Sequence, residues 1–193
     1  AAPERMSIAT PQELLDLLLE DRPLTAVELE SFIASFEKEG QLFDYKDGIL
    51  TGKPADAKKT LREYVSGFAN AEGGVLILGV GEPRPRRISP CQRIGQEPLD
   101  VWAQKVLLDM SGFFSPPPRF RVVAHPDGEV LLVAVARAPQ LVPCVESRQL
   151  KYFLRIHETT FEVPPFLMSE VVLGRREHPI VSLEPTGGMW RFE

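Results

Sequence analysis

Cysteine is almost absent from the 193 residues: Cys91 and Cys144 stand far apart, in no C-x-x-C or other metal-ligand spacing, which argues against a structural zinc site. Two isolated thiols fit a reducing compartment, and a cytoplasmic protein is expected. No apolar run exceeds the length of a strand, so neither a signal peptide nor a membrane span is expected, and a membrane is not among the expected partners. No internal repeat is evident. A Walker-type nucleotide site is also missing. Gly48-Ile49-Leu50-Thr51-Gly52-Lys53-Pro54 has its glycines one residue too close, and Pro54 stands where a metal-binding hydroxyl is required. Ala1–Arg5, ahead of Met6, reads either as an appended remnant or as part of a longer chain.

An overall positive charge is lacking too, since the chain carries a net −5. The acidity is local, however. Residues 1–40 hold nine acids and three bases, whereas residues 41–193 hold eighteen acids and nineteen bases. Within 82–160 there are eleven bases to eight acids, clustered at Arg84, Arg86, Arg87 and Arg93 and again at Arg119, Arg121, Lys151 and Arg155. If folding gathers these on one face, that face attracts phosphates through counterion release. A mixed, solvated surface is the alternative.

What is present is organised around Val65–Glu82. Val65, Phe68 and Ala69 lie at helical spacing, and Asn70 to Gly74 supplies residues that end a helix, because glycine accepts left-handed backbone cheaply. Val75-Leu76-Ile77-Leu78 then reads as a strand covered on both faces, turned at Gly79 and Gly81, with Glu82 at its exit, where open α/β sheets place their ligands.

Before that stretch, Thr10-Pro11 starts a helix carrying Leu14, Leu15, Leu17 and Leu18. Thr25 and Glu28 form a capping box for a second helix faced by Leu29, Phe32, Ile33 and Phe36. This acidic helical pair, residues 1–38, serves either core packing or a protein partner. Leu42–Lys46 alternates as a strand, with Asp44 and Lys46 on one face and Phe43 and Tyr45 on the other. Asp47–Pro54 reads as a loop whose Lys53 can touch a phosphate, and a helix follows from Asp56 to Ala69.

After the stretch come a proline- and arginine-rich loop, Pro83–Pro90, and a helix from Pro98 to Met110. Phe120–Ala124 and Val130–Val135 form a hairpin around an Asp-Gly turn, which makes the sheet mixed. Tyr152–Ile156 is a further strand, and Pro164 or Pro165 opens a last helix to about Leu173. Residues 39–178 then make one mixed α/β (α+β) domain, and 179–193 a polar tail.

Placed in this order, several pieces resemble the Schlafen AlbA-like domain family: Glu39 with Asp44-Tyr45-Lys46, Phe68-Ala69-Asn70-Ala71-Glu72-Gly73-Gly74, Gly79-Val80-Gly81-Glu82, Pro143, and Tyr152–Thr159. The resemblance covers roughly residues 39–175. It implies a nucleic-acid-binding α/β domain for DNA or structured RNA and, in some Schlafen members, a metal-dependent endoribonuclease acting through three acids. Carried over by position, those acids are Glu39, Asp44 and Glu82, which would hold Mg²⁺ or Mn²⁺. Asp44 is one methylene shorter than the usual glutamate, and Gly81 stands where an aspartate is common.

Binding without catalysis is therefore the first reading, with phosphate contacts from Lys46, Lys53, Arg84, Arg86, Arg119, Arg121, Lys151 and Arg155. The nuclease is the second. A protein-interaction module docking through the leading helices is the third. For the acids, the plain alternatives are that Glu39 ends a helix in solvent, Asp44 pairs with Lys46 or Arg62, and Glu82 is an exposed loop carboxylate.

Overall fold

The leading helices begin where the local chemistry says they should. In the computed structural model, which describes residues 8–146, 149–177, 183–186 and 189–192, α1 (Pro11–Leu19) is capped by Thr10, whose hydroxyl accepts from the Glu13 amide. Helix α2 (Ala26–Ser35) starts on the reciprocal Thr25–Glu28 box. The chain continues through β1 (Phe43–Lys46), α3 (Pro54–Asn70), β2 (Gly73–Leu78), β3 (Val80–Gly81), β4 (Arg87–Ile88), α4 (Leu99–Val106), β5 (Arg119–His125) and β6 (Gly128–Ala136). It ends with β7 (Pro143–Glu146), β8 (Gln149–Ile156), β9 (Thr159–Glu162), α5 (Met168–Glu177), β10 (Leu183–Thr186) and β11 (Met189–Phe192). The sequence around Met6 and at Pro179 lies outside the described residues.

The main sheet runs β1-β2-β6-β5. Its first pair is parallel and the other two are antiparallel, so the sheet is mixed, as expected. The hairpin forms as the alternation predicts, but its turn centres on Pro126 and Asp127, with Gly128 already paired to His125. A second sheet, β7-β8-β9, was only partly legible, because only the apolar segment of β8 stands out in the sequence. Strand β7 begins at a proline, tolerated at the first position of a strand, and β9 is short and half exposed. The segment 48–52, read as a loop, is a 3-10 turn. The tail forms a two-stranded pair, β10 with β11.

Strand β2 is buried along its whole length, which explains its unbroken apolar run. Leu76 and Leu78 face α3 and α4, in a cluster with Leu61, Val65, Phe68 and Trp102. Val75 and Ile77 face the leading helices, among Leu14, Leu18, Leu29 and Phe32. Helices α1 and α2 thus cover one whole side of the sheet. The join between α3 and β2 requires glycine twice. Gly73 has φ +87°, and a side chain on Gly74 would begin 2.2 Å from the Phe68 ring.

Phe32 is fully buried, with its ring 4.9 Å from Phe36 and 5.4 Å from Phe43. Phe32→Ala is expected to cost about 3–5 kcal/mol in urea denaturation. Val27→Ala, on the exposed side of the same helix, is expected to change stability by less than about 0.5 kcal/mol.

Candidate nucleic-acid interface and the acidic cluster

Strand β1 places Asp44 and Lys46 toward α3, as its alternation predicts. Asp44 is 1% exposed. One of its carboxylate oxygens accepts from Lys46 Nζ at 2.5 Å and the other from Arg155 Nη1 at 2.9 Å. Arg155, also 1% exposed, reaches in from β8. Its Nε and Nη2 donate to the Gly40 carbonyl at 3.0 and 2.8 Å, Nη2 also donates to the Phe43 carbonyl at 2.9 Å, and Nη1 also donates to Thr160 Oγ1 at 3.1 Å. The guanidinium lies over the Phe68 ring at 4.8 Å. All five of its N–H donors are engaged, so none remains for the phosphate contact expected of Arg155. Lys46 lies 4.3 Å from the centre of the Tyr64 ring. Burial pulls its ammonium pKa down, but Asp44 and Tyr64 outweigh that and leave it raised.

The other two acids meet at Arg86. Its Nη2 donates to Glu39 Oε1 at 3.2 Å and to Glu82 Oε1 at 3.3 Å, while Nε donates to the Glu37 carbonyl at 2.7 Å. The Tyr45 ring packs against the guanidinium at 4.8 Å. Glu39 also accepts the Tyr45 amide at 3.2 Å. Burial, followed by the repulsion of Asp44, pushes the Glu39 pKa up despite the opposing pull of Lys46, the Tyr45 amide and Arg86. The Glu82 side chain is 76% exposed.

Glu39, Asp44 and Glu82 therefore do not converge on a common cation. Among the described residues, no three His, Cys, Asp or Glu side chains are placed to hold a metal ion. Both Asp44 oxygens are taken by side-chain cations, and a guanidinium stands between Glu39 and Glu82. The Mg²⁺ or Mn²⁺ of the nuclease reading does not fit this donor set.

The bases divide in the same way. Lys46, Arg86 and Arg155 are spent on internal carboxylates and carbonyls. Arg121 is tied to Asp21 at 2.6 Å, at the end of α1, and Lys151 pairs with Glu162 at 3.3 Å. Lys53, Arg84 and Arg119 are exposed and enter no ion pair among the described residues; Arg87, which the phosphate-contact set omitted, joins them.

Lys53 and Arg84 lie on the loops beyond the C-terminal ends of β1 and β2, and Arg87 opens the short strand β4 that follows the second of them. Those loops are bonded together: the Gly48 amide donates to the Ser89 carbonyl at 3.0 Å, Ser89 Oγ to Asp47 at 2.6 Å, and the Gln92 amide to Thr51 Oγ1 at 2.6 Å. Arg119 is level with Ala134 and Val75, toward the opposite end of the sheet. Among the described residues, the exposed bases of the expected set that enter no ion pair thus divide between the two ends of the sheet.

With this geometry in place, the family profile described as Schlafen, AlbA_2 matches residues 39–164, more than half of the chain. The chain belongs to the Schlafen AlbA_2 family. The match begins at Glu39, so α1 and α2 lie outside it although they cover one side of the sheet. This Schlafen AlbA_2 chain is similar to the solved DIP2311 protein of Corynebacterium diphtheriae, at TM-score 0.56 and 18% identity over 89% of the chain. It spans only 35% of that protein's length, and at such identity the likeness concerns the fold alone. The N-terminal domain of a RecG-related ATP-dependent DNA helicase protein of Nitrosomonas europaea gives TM-score 0.38 and 19% identity, over 60% of this chain and 74% of that one. Among curated proteins, none matches.

The helix-to-strand stretch that carried the resemblance has a structural part that the sequence did not disclose. Asn70 donates from Nδ2 to the carbonyls of Val142 and Phe153 at 3.0 and 2.9 Å and accepts the Val142 amide at 2.7 Å. It also donates to Ser66 Oγ at 3.2 Å within α3, and through the other three bonds it fastens that helix to the second sheet.

Arg155→Met is expected to destabilise the protein by about 3–5 kcal/mol in chemical denaturation, because it leaves Lys46 as the one cation on the buried Asp44 carboxylate and takes the guanidinium donors from the Gly40 and Phe43 carbonyls. For Glu39, the raised folded-state pKa means that its favourable contribution is complete below the unfolded value of 4.5 and is lost as pH rises through the folded value. Glu39→Gln should therefore gain stability relative to the parent as pH climbs past 4.5, read from midpoints of thermal unfolding across that range.

Proposed function

We propose that this Schlafen AlbA_2 chain binds nucleic acid, DNA or structured RNA, through phosphate contacts at the loops beyond the C-terminal ends of β1 and β2. The observation that carries the reading is the trio Lys53, Arg84 and Arg87, exposed on connected segments bonded together and engaged by no carboxylate among the described residues. Open α/β sheets use this end for ligands, and unpaired cations there release counterions when a phosphate arrives. Membership of the family supports the same reading. Glu30, Glu37 and Asp127 line a cleft beside Arg87, so the polynucleotide approaches from the side of Lys53 and Arg84. Contacts to phosphate position a duplex without reading its sequence, and the proposed binding is accordingly indifferent to base order.

The test is fluorescence anisotropy with a labelled DNA duplex and a labelled RNA hairpin over a range of salt. About three phosphate contacts give a slope of log affinity against log salt of roughly −2 to −3. The triple variant Lys53→Glu, Arg84→Glu, Arg87→Glu is expected to lose binding to both probes. A slope near zero, or a triple variant that binds as tightly as the parent, overturns the proposal.

A further inference from the structure

The free edge of the main sheet is formed by β5, the last strand in the order β1-β2-β6-β5. Which of its backbone groups face outward follows from the register. The Val75 amide donates to the Leu42 carbonyl and the Gly79 amide to the Lys46 carbonyl, so the odd-numbered residues of β2 point toward β1. The even ones, Gly74, Leu76 and Leu78, then bond to Val135, Val133 and Leu131 of β6. The Cys91 amide donating to the Glu129 carbonyl continues the same parity along β6. Ala134, Leu132 and Val130 are left to bond Arg119, Arg121 and Val123 of β5. The N–H and C=O groups of Phe120, Val122 and Ala124 therefore point away from the sheet, and none of them is hydrogen-bonded by another described residue.

Such an edge invites pairing unless it is blunted, and among the described residues no strand pairs with its outer side. Ala124 is exposed, and β5 runs seven residues without an internal proline. A cleft of about 470 Å³ lies at its N-terminal half, with Leu107, Leu108, Phe114 and Phe120 on one side and Asp21 and Arg119 on the other. Leu108 is 69% exposed. Asp21 is already bound to Arg121, so the charge left unanswered at this edge is that of Arg119.

We propose that β5 accepts an added strand from a partner protein, an extended peptide in which acidic and apolar residues alternate. Main-chain bonds to Phe120, Val122 and Ala124 supply affinity, and the pleat supplies specificity. Residues on the Arg119 side are acidic, and those between them meet Phe120 and Leu108. A second copy of the chain fits less well. Antiparallel self-pairing about Val122 sets Arg119 against His125 and Arg121 against Val123, and parallel self-pairing sets arginine against arginine. The carboxylates that accompany His125, Glu30 and Asp127, are already engaged by its ring, so the antiparallel arrangement offers Arg119 only acids that have a partner, and the parallel one offers it none.

The test uses the full chain with two short synthetic peptides, one alternating Glu and Val and the other alternating Lys and Val. The Glu peptide is expected to slow amide hydrogen exchange at Phe120, Val122 and Ala124 and to bind more tightly than the Lys peptide. Val122→Pro, which removes an outward donor at a position where an edge strand tolerates proline, should abolish that binding. Arg119→Glu should weaken the Glu peptide several-fold and reverse the preference. Unchanged exchange at the three amides overturns the proposal, as does equal affinity of the Glu peptide for the parent and Val122→Pro. Should Val122→Pro fail to fold, an unaltered preference in Arg119→Glu overturns it alone. Sedimentation showing a dimer in the parent that Arg119→Glu or Val122→Pro dissolves assigns the edge to a second copy and overturns the acidic-peptide occupant.

Discussion

A guanidinium held inside the protein governs much of the arrangement around it. Arg155 is reached by one carboxylate, one hydroxyl and two main-chain carbonyls, drawn from β1, the turn before it, and β9. A buried cation is tolerated only when its donors are satisfied, and here the satisfaction comes from three separate parts of the chain. The second sheet is thereby fixed to the first across α3. Asp44, which the family resemblance presents as an active-site acid, is the counter-charge of this arrangement. Both oxygens of Asp44 are engaged by protein cations, whereas Glu39 is held on one oxygen alone, Oε1, which accepts from both Arg86 and the Tyr45 amide.

The leading helices illustrate how a family boundary and a folding boundary can differ. The family match starts at Glu39, yet Val75 and Ile77 of the central strand have α1 and α2 as their cover. Each fully buried aliphatic or aromatic side chain contributes about 1.5–3 kcal/mol. Leu14, Leu18, Leu29 and Phe32 together therefore supply stabilisation of the same order as the whole stability of a domain this size. The acidity of this pair also acts on the charge pattern, because Asp21 removes Arg121 from the set of available cations.

Features set by near neighbours in sequence were legible. Thr10 and Thr25 cap as read, β2 shows its two-sided burial as an unbroken apolar run, and the hairpin declares itself through alternation. Pairings set by tertiary contact were not. Asp44 could pair with Lys46 or Arg62 on sequence grounds; it takes Lys46 and Arg155, while Arg62 goes to Asp109. The strands β7 and β9 carry too few apolar residues to stand out beside proline-rich connections. The basic clusters were visible as composition, but whether each arginine faces solvent or a carboxylate depends on elements far away in the chain.

Asn70 has a mechanical consequence. Because one side-chain amide grips Val142 from both sides and also holds Phe153, the two sheets hang from α3 as from a shared spine, without a slack joint between them. Moving the second sheet against α3 would break these three bonds together, so a ligand that leaves them in place meets the two sheets in the arrangement they already hold.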